Sequence, residues 1–145
     1  MGKIFTKGLF LLFSFLLIGR VATAQTITVG SVDAGPYGQG STIAVPIVVD
    51  NSSGCITSAT NTFRLYLSDA SGSFASQVQI GTFTGFYATF VNGIIPAGTP
   101  AGTGYKVRIV STTPAITSST SGAFAINNAG GVIAATSSQT MGSNP

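Results

Sequence analysis

From Thr26 onward, hydrophobic and polar residues alternate in short runs separated by clusters of Gly, Pro, Asn and Ser. Seven runs stand out: Thr26–Val32, Thr42–Asp50, Asn61–Ser68, Gln77–Thr82, Phe86–Ile95, Tyr105–Thr112 and Ala123–Asn127. In the second, Ile43, Val45, Ile47 and Val49 fall on one side. In the third, Phe63, Leu65 and Leu67 lie opposite Arg64, Tyr66 and Ser68. In the sixth, Tyr105, Val107 and Ile109 lie opposite Lys106 and Arg108. Successive side chains of a strand point to opposite faces, so a period of two predicts strands with one buried face. Helix competes poorly, because the runs are rich in β-branched residues and Gly or Pro interrupts almost every window long enough for one.

Seven short strands with regularly spaced turn signals predict an all-β sandwich, with a small barrel as the alternative. Turn chemistry sits where the strands should end: Asp33-Ala34-Gly35-Pro36, Gly38-Gln39-Gly40, Asn51-Ser52-Ser53-Gly54 and the Gly/Pro-rich stretch from Pro96 to Gly104. Pro46 cannot donate a ladder hydrogen bond, which predicts that the second strand lies at a sheet edge or is bulged there.

The first 24 residues follow a different pattern. Lys3 and Lys7 precede an apolar run from Leu9 to Ile18, and Ala22-Thr23-Ala24 supplies a small-x-small site before Gln25. This order of parts reads as a cleaved secretory signal. The apolar run is too short for a spanning helix, which needs about 20 such residues. The expected organisation is a signal peptide over 1–24, one domain over 25–128, and a small, polar tail or linker over 129–145. The expected location is secreted or cell-surface, with no membrane span once the signal is cleaved.

Charge changes with that cleavage. The net charge of +3 comes from six basic and three acidic residues, but Lys3, Lys7 and Arg20 lie in the signal. Arg64, Lys106 and Arg108 then stand against Asp33, Asp50 and Asp69. Nucleic-acid binding needs clustered cations, so nucleic acid is excluded as a partner. A neutral, Thr-rich, apolar surface also lacks the charge repulsion that discourages self-association. Cys55 is the single cysteine, so no internal disulfide forms; the thiol is either buried or free to pair between chains.

Two segments carry a family pattern. Asn61 to Phe74 reads N-T-F-R-L-Y-L-S-D-A-S-G-S-F, and Ala101 to Pro114 reads A-G-T-G-Y-K-V-R-I-V-S-T-T-P. Together they resemble immunoglobulin-like sandwich domains of large secreted and surface proteins of Bacteroidota, including adhesin-like and gliding-associated chains. The second also resembles the corresponding strand of fibronectin type III domains. The resemblance implies an immunoglobulin-like Greek-key β-sandwich of about seven strands over Gln25 to Asn128. Tyr105, entering a strand after Gly102-Thr103-Gly104, fits a tyrosine corner with its hydroxyl returned to nearby backbone. The plainer alternative is an ordinary core tyrosine.

Candidate chemistry is sparse. The chain has no histidine, so no His-based nucleophile pair can be assembled, and its three aspartates lie in or beside separate turns. No enzymatic activity, cofactor or metal is expected. Asp69-Ala70-Ser71-Gly72-Ser73 places oxygens at alternate positions like part of a calcium loop, but without a closing acid it reads as a turn held by its own side chains. Asn51-Ser52-Ser53 matches the eukaryotic glycosylation pattern, irrelevant in a bacterium.

One constellation points to binding. If the third and sixth strands are neighbours, Arg64, Tyr66, Lys106 and Arg108 share one outward face. Cations beside an aromatic ring suit an acidic glycan or a protein at the cell surface. The simpler reading is a solvated face that keeps the protein soluble. The expected function is a non-catalytic extracellular module contributing to adhesion or spacing. The alternative is a carbohydrate-binding module accessory to a secreted enzyme, with Tyr37, Tyr66 and Tyr87 as its only tyrosine platforms outside the core.

Overall fold

The computed structural model describes residues 25–50 and 58–128. The signal segment, Asn51-Ser52-Ser53, Cys55 and the tail from 129 lie outside the described residues. Ten strands and no helix form among the rest: β1 (Ile27–Val29), β2 (Tyr37–Gly38), β3 (Thr42–Val49), β4 (Thr62–Leu67), β5 (Val78–Thr84), β6 (Phe90–Ile94), β7 (Gly102–Tyr105), β8 (Val107–Thr112), β9 (Ala115–Thr120) and β10 (Phe124–Asn127). They make three sheets, in the orders β1-β3-β6, β5-β4-β8-β9 and β2-β10-β7. The alternation has the predicted phase. Ile43, Val45, Ile47 and Val49 of β3, Phe63, Leu65 and Leu67 of β4, and Val107 and Ile109 of β8 are all buried in one cluster fed by all three sheets. The arrangement is all-β and consistent with a sandwich.

Ten strands replace the expected seven, for identifiable reasons. The run Tyr105–Thr112 extends back to Gly102 and breaks at Lys106, so β7 pairs with β10 while β8 pairs with β4 and β9. At the break, the Lys106 N–H donates to Ser68 Oγ (2.8 Å) and its carbonyl accepts from the Ser68 N–H (2.9 Å). The run Phe86–Ile95 forms a strand only from Phe90, with 85–89 a connection from β5. β2 and β9 come from stretches without a run. Pro46 also differs from expectation, because β3 is the central strand of its sheet. Its carbonyl accepts the Gly30 N–H (2.8 Å), and it cannot donate in return at the point where β1 leaves the sheet.

Serine hydroxyls complete ladders that bulges interrupt. Ser118 Oγ accepts the Ile109 N–H (2.8 Å) and Ser121 Oγ accepts the Val107 N–H (3.0 Å), both beside the register shift between β8 and β9. Ser119 Oγ accepts the Val29 N–H (3.0 Å), tying β1 to β9. Asn61 is fully buried, and its Oδ1 accepts the N–H groups of Thr112 (3.1 Å) and Thr113 (2.9 Å), locking the β8–β9 turn to the start of β4. Buried amides left without acceptors would be costly, so each of these side chains stabilises the strand it serves. Tyr105 is buried and donates its hydroxyl to the Pro100 carbonyl (2.7 Å), five residues upstream, as a tyrosine corner does.

The other edge closes by backbone contact. A Cβ on Gly81 of β5 would lie 2.0 Å from the Asn92 carbonyl oxygen of β6, so only glycine lets the strands approach this closely. The core is entered and left at opposite ends. The Asp50 N–H bonds the Thr26 carbonyl at the C-terminal end of β3, whereas Asn127 lies beside Gly38, next to the β2–β3 turn.

Candidate binding face

β4 and β8 are antiparallel neighbours, with Tyr66 opposite Arg108 and Arg64 opposite Val110. The inward phase of both strands is buried, so Arg64, Tyr66 and Arg108 point to the outer face of the four-stranded sheet, and Lys106 just precedes β8 in the same phase. Arg64 lies level with Val110, four residues from Lys106, which separates those two cations by about 13 Å along the strands. The neighbours across β5 and β9 are Thr82, Gln79, Thr117 and Thr120. The face is therefore a cationic diagonal on a bed of hydroxyl and amide groups.

The three cations are not equivalent. Arg108 donates from Nε (2.9 Å) and Nη2 (2.7 Å) to Gln77 Oε1, and its guanidinium carbon stands 4.4 Å from the centre of the Phe74 ring. It is pinned by two hydrogen bonds to one amide oxygen and by a cation–π contact. The Lys106 stem passes over Gly72, where an added Cβ would come within 3.3 Å of Cε. The Arg64 side chain is exposed and makes no hydrogen bond or ion pair among the described residues. Arg64 and Lys106 can thus meet a partner directly, while Arg108 mainly holds the 74–77 segment against the sheet. Gln77 and Phe74 escaped the sequence reading because no periodicity links a loop to a strand 31 residues away.

Asp69 belongs to a turn. Its Oδ1 accepts from the Ser71 hydroxyl (2.7 Å), the Ser71 N–H (2.9 Å) and the Ser73 N–H (2.9 Å). The Ser71 hydroxyl bond first, and then the backbone bond from Ser73, hold its carboxyl below the usual range. No group of three or more His, Cys, Asp or Glu gathers among the described residues. Beside this turn a cleft of about 470 Å³ opens between Leu67, Val78, Pro96, Ala97 and Tyr105, with Asp69 also lining it.

The tyrosines proposed for a sugar lie apart. Tyr37 packs edge-on against Phe124 (5.4 Å between centroids) in the β2-β10-β7 sheet, Tyr66 is on β4, and Tyr87 is in the β5–β6 connection. A feature the sequence reading missed is the outer face of β1-β3-β6, where Val48, Phe90 and Ile94 are exposed. Apolar residues in both phases of Phe86–Ile95 hid it. Compared with protein-family models, curated proteins and solved structures, the chain matches none of them.

Proposed function

We propose that this chain is a non-catalytic, exported module that spaces or adheres at a bacterial surface, with an immunoglobulin-like Greek-key fold. The observation that carries the reading is the placement of the two ends of the described core at opposite poles of β3, Thr26 beside Asp50 and Asn127 beside Gly38. With Gln25 first after cleavage, the chain starts at one pole and leaves at the other, about 30 Å away at the rise of an extended strand, so the unit holds its starting pole and its sheet faces away from the tail that follows. The fold reading is supported by counting interrupted strands once. β1 with β2, β7 with β8, and β9 with β10 give seven, and the chain passes between the two main sheets as β1 and β3, then β4 and β5, then β6, then β8 and β9.

Adhesion is assigned to the outer face of β4 and β8, through Arg64 and Lys106 with Tyr66 between them, toward an acidic glycan or protein. The dispersal of Tyr37, Tyr66 and Tyr87 favours this module over a carbohydrate-binding platform, which needs its rings on one surface.

Export and geometry test the reading together. N-terminal analysis of the exported chain should find Gln25 first, and Met1 on the exported product would overturn export by cleavage. Two copies of residues 25–145 fused in tandem should nearly double the maximum dimension in small-angle scattering. A folded-back pair with little added length would overturn the spacing role.

A further inference from the structure

β1 is the strand nearest the chain end that signal cleavage creates. It has three residues and lies at the edge of its sheet, yet its Ile27 and Val29 are buried in the core. The ladder to β3 holds it, together with the Val29 N–H on Ser119 Oγ and the Thr26 carbonyl, which accepts the Asp50 N–H (2.9 Å). Cleavage after Ala24 leaves one residue, Gln25, ahead of that carbonyl. Chain ends fray first, and an exopeptidase that removes Gln25 and Thr26 takes away the acceptor for Asp50 and arrives at Ile27.

The residue that cleavage exposes is one whose side chain can close on its own amine. We infer that Gln25 is a modification site, converted after export into pyroglutamate, and that the closed ring guards β1. The inference rests on the export reading proposed above, since the amine exists only once the bond to Ala24 is cut. The unprotonated α-nitrogen attacks its own Cδ. The N–Cδ bond forms, the Cδ–Nε2 bond breaks, and Nε2 leaves as ammonia with the proton that the α-nitrogen gives up. No oxidant, water or second substrate is consumed. An α-amine titrates near neutral pH, so an unprotonated, nucleophilic fraction is present there. Both reacting groups belong to one residue, which makes the step intramolecular and supplies the proximity. The ring is five-membered, whereas asparagine at this place would have to close a four-membered one.

The fold accepts the ring without rearrangement. Gln25 precedes the first ladder residue and is half-buried. Every bond that changes lies within residue 25, so the Thr26–Asp50 hydrogen bond and the Ile27–Val49 pair stay in place. The product has no primary amine for an aminopeptidase to engage and no terminal positive charge. Arg64, Lys106 and Arg108 then remain the cations of the exported sequence.

The test is intact-mass analysis with fragmentation of the protein exported from cells expressing the full 145-residue chain. The expected product begins at residue 25 and is lighter by one ammonia, with the loss on that residue. Pyroglutamyl aminopeptidase should remove the blocked residue and leave Thr26 first. A product beginning with an intact Gln25 overturns the inference and leaves export by cleavage standing. Any other first residue, Met1 included, overturns both. Gln25→Leu keeps the small-x-small site and cannot close the ring, so its exported chain should show no loss of ammonia. A loss that persists in this variant belongs to an asparagine and overturns the assignment. Incubated with a broad-specificity aminopeptidase, the wild-type chain should keep its mass, while Gln25→Leu should lose residues 25 and 26. A wild-type chain shortened as fast as the variant, or a variant that keeps its mass, overturns the guarding role.

Discussion

Leu65 and Gly93 offer the sharpest test of the packing between the two larger sheets. Leu65 is fully buried on β4, and a Cβ on Gly93 of β6 would lie 2.8 Å from its Cδ2. The same Cβ would lie 2.9 Å from Cδ1 and Cγ1 of Ile80. Leu65→Ala removes a core side chain and should cost about 2–5 kcal/mol, the range for such truncations. Gly93→Ala forces a methyl into occupied space and should cost about 1–3 kcal/mol by overpacking. In the double variant the Leu65 clash is gone and the new methyl fills part of the cavity, while the Ile80 contact persists. The double change should therefore cost less than the two single costs combined by about 1 kcal/mol, within the range for contacting residues. Urea melts followed by far-UV circular dichroism give all four free energies. Additivity within about 0.3–0.5 kcal/mol would mean that the sheets do not meet at this point. A Leu65→Ala loss below about 0.5 kcal/mol, the scale of a surface change, would mean that the inward face of β4 is reversed.

Asn61→Ala strands two backbone donors at Thr112 and Thr113 but removes an Nδ2 that has no partner among the described residues, so the net loss should be about 1–3 kcal/mol in the same melts. The depressed Asp69 carboxyl contributes stability that is fully present above its unfolded value near 3.9 and is lost as pH falls through the lower folded value. Acid titration of Tm should show that loss in the wild-type chain and not in Asp69→Asn; parallel curves would refute the turn's role. Retention on an immobilised acidic polysaccharide should fall as salt rises, because exposed charges are screened beyond about 10 Å at 0.1 M. Arg64→Ala with Lys106→Ala should abolish retention without changing Tm, and salt-independent retention would remove the cationic face from the account.

Much of this fold is legible in the sequence wherever apolar residues occupy one phase. Runs two, three and six carry their buried faces in plain alternation, and the neighbouring of β4 and β8 follows from the sandwich they predict. β9 was not legible because its inward positions are Ile116 and Ser118, and Ser118 is buried to accept an amide rather than to fill space. β7 was hidden for a different reason. A Cβ on Gly104 would lie 2.5 Å from the Ala70 carbonyl oxygen, and one on Gly102 would lie 2.9 Å from the Ala70 Cβ. On the side that meets the turn β7 has no room for side chains, so of its four residues only Thr103 and Tyr105 carry one and the alternation is too short to read. The candidate face was legible as a set of residues, but its division into a pinned Arg108 and an available Arg64 depends on Gln77 and Phe74, which only folding brings near.

The serine and threonine richness of the chain follows from the same geometry. Strands interrupted at Lys106 and between β9 and β10 leave amides that no opposing carbonyl reaches, and short hydroxyl side chains bridge the gap where longer ones would wedge the strands apart. Ser68, Ser118 and Ser121 therefore do inside the fold what capping residues do at helix ends. Threonines do a second job outside, covering the β5-β4-β8-β9 sheet with groups that stay hydrated and leave Arg64 as the exposed charge. The β1-β3-β6 sheet has no such covering at Val48, Phe90 and Ile94. One face thus presents charge and hydroxyls and the other exposes Val48, Phe90 and Ile94 among its polar positions, so contacts made through the two should differ in their response to salt: attraction at the first is screened, whereas apolar burial at the second is not.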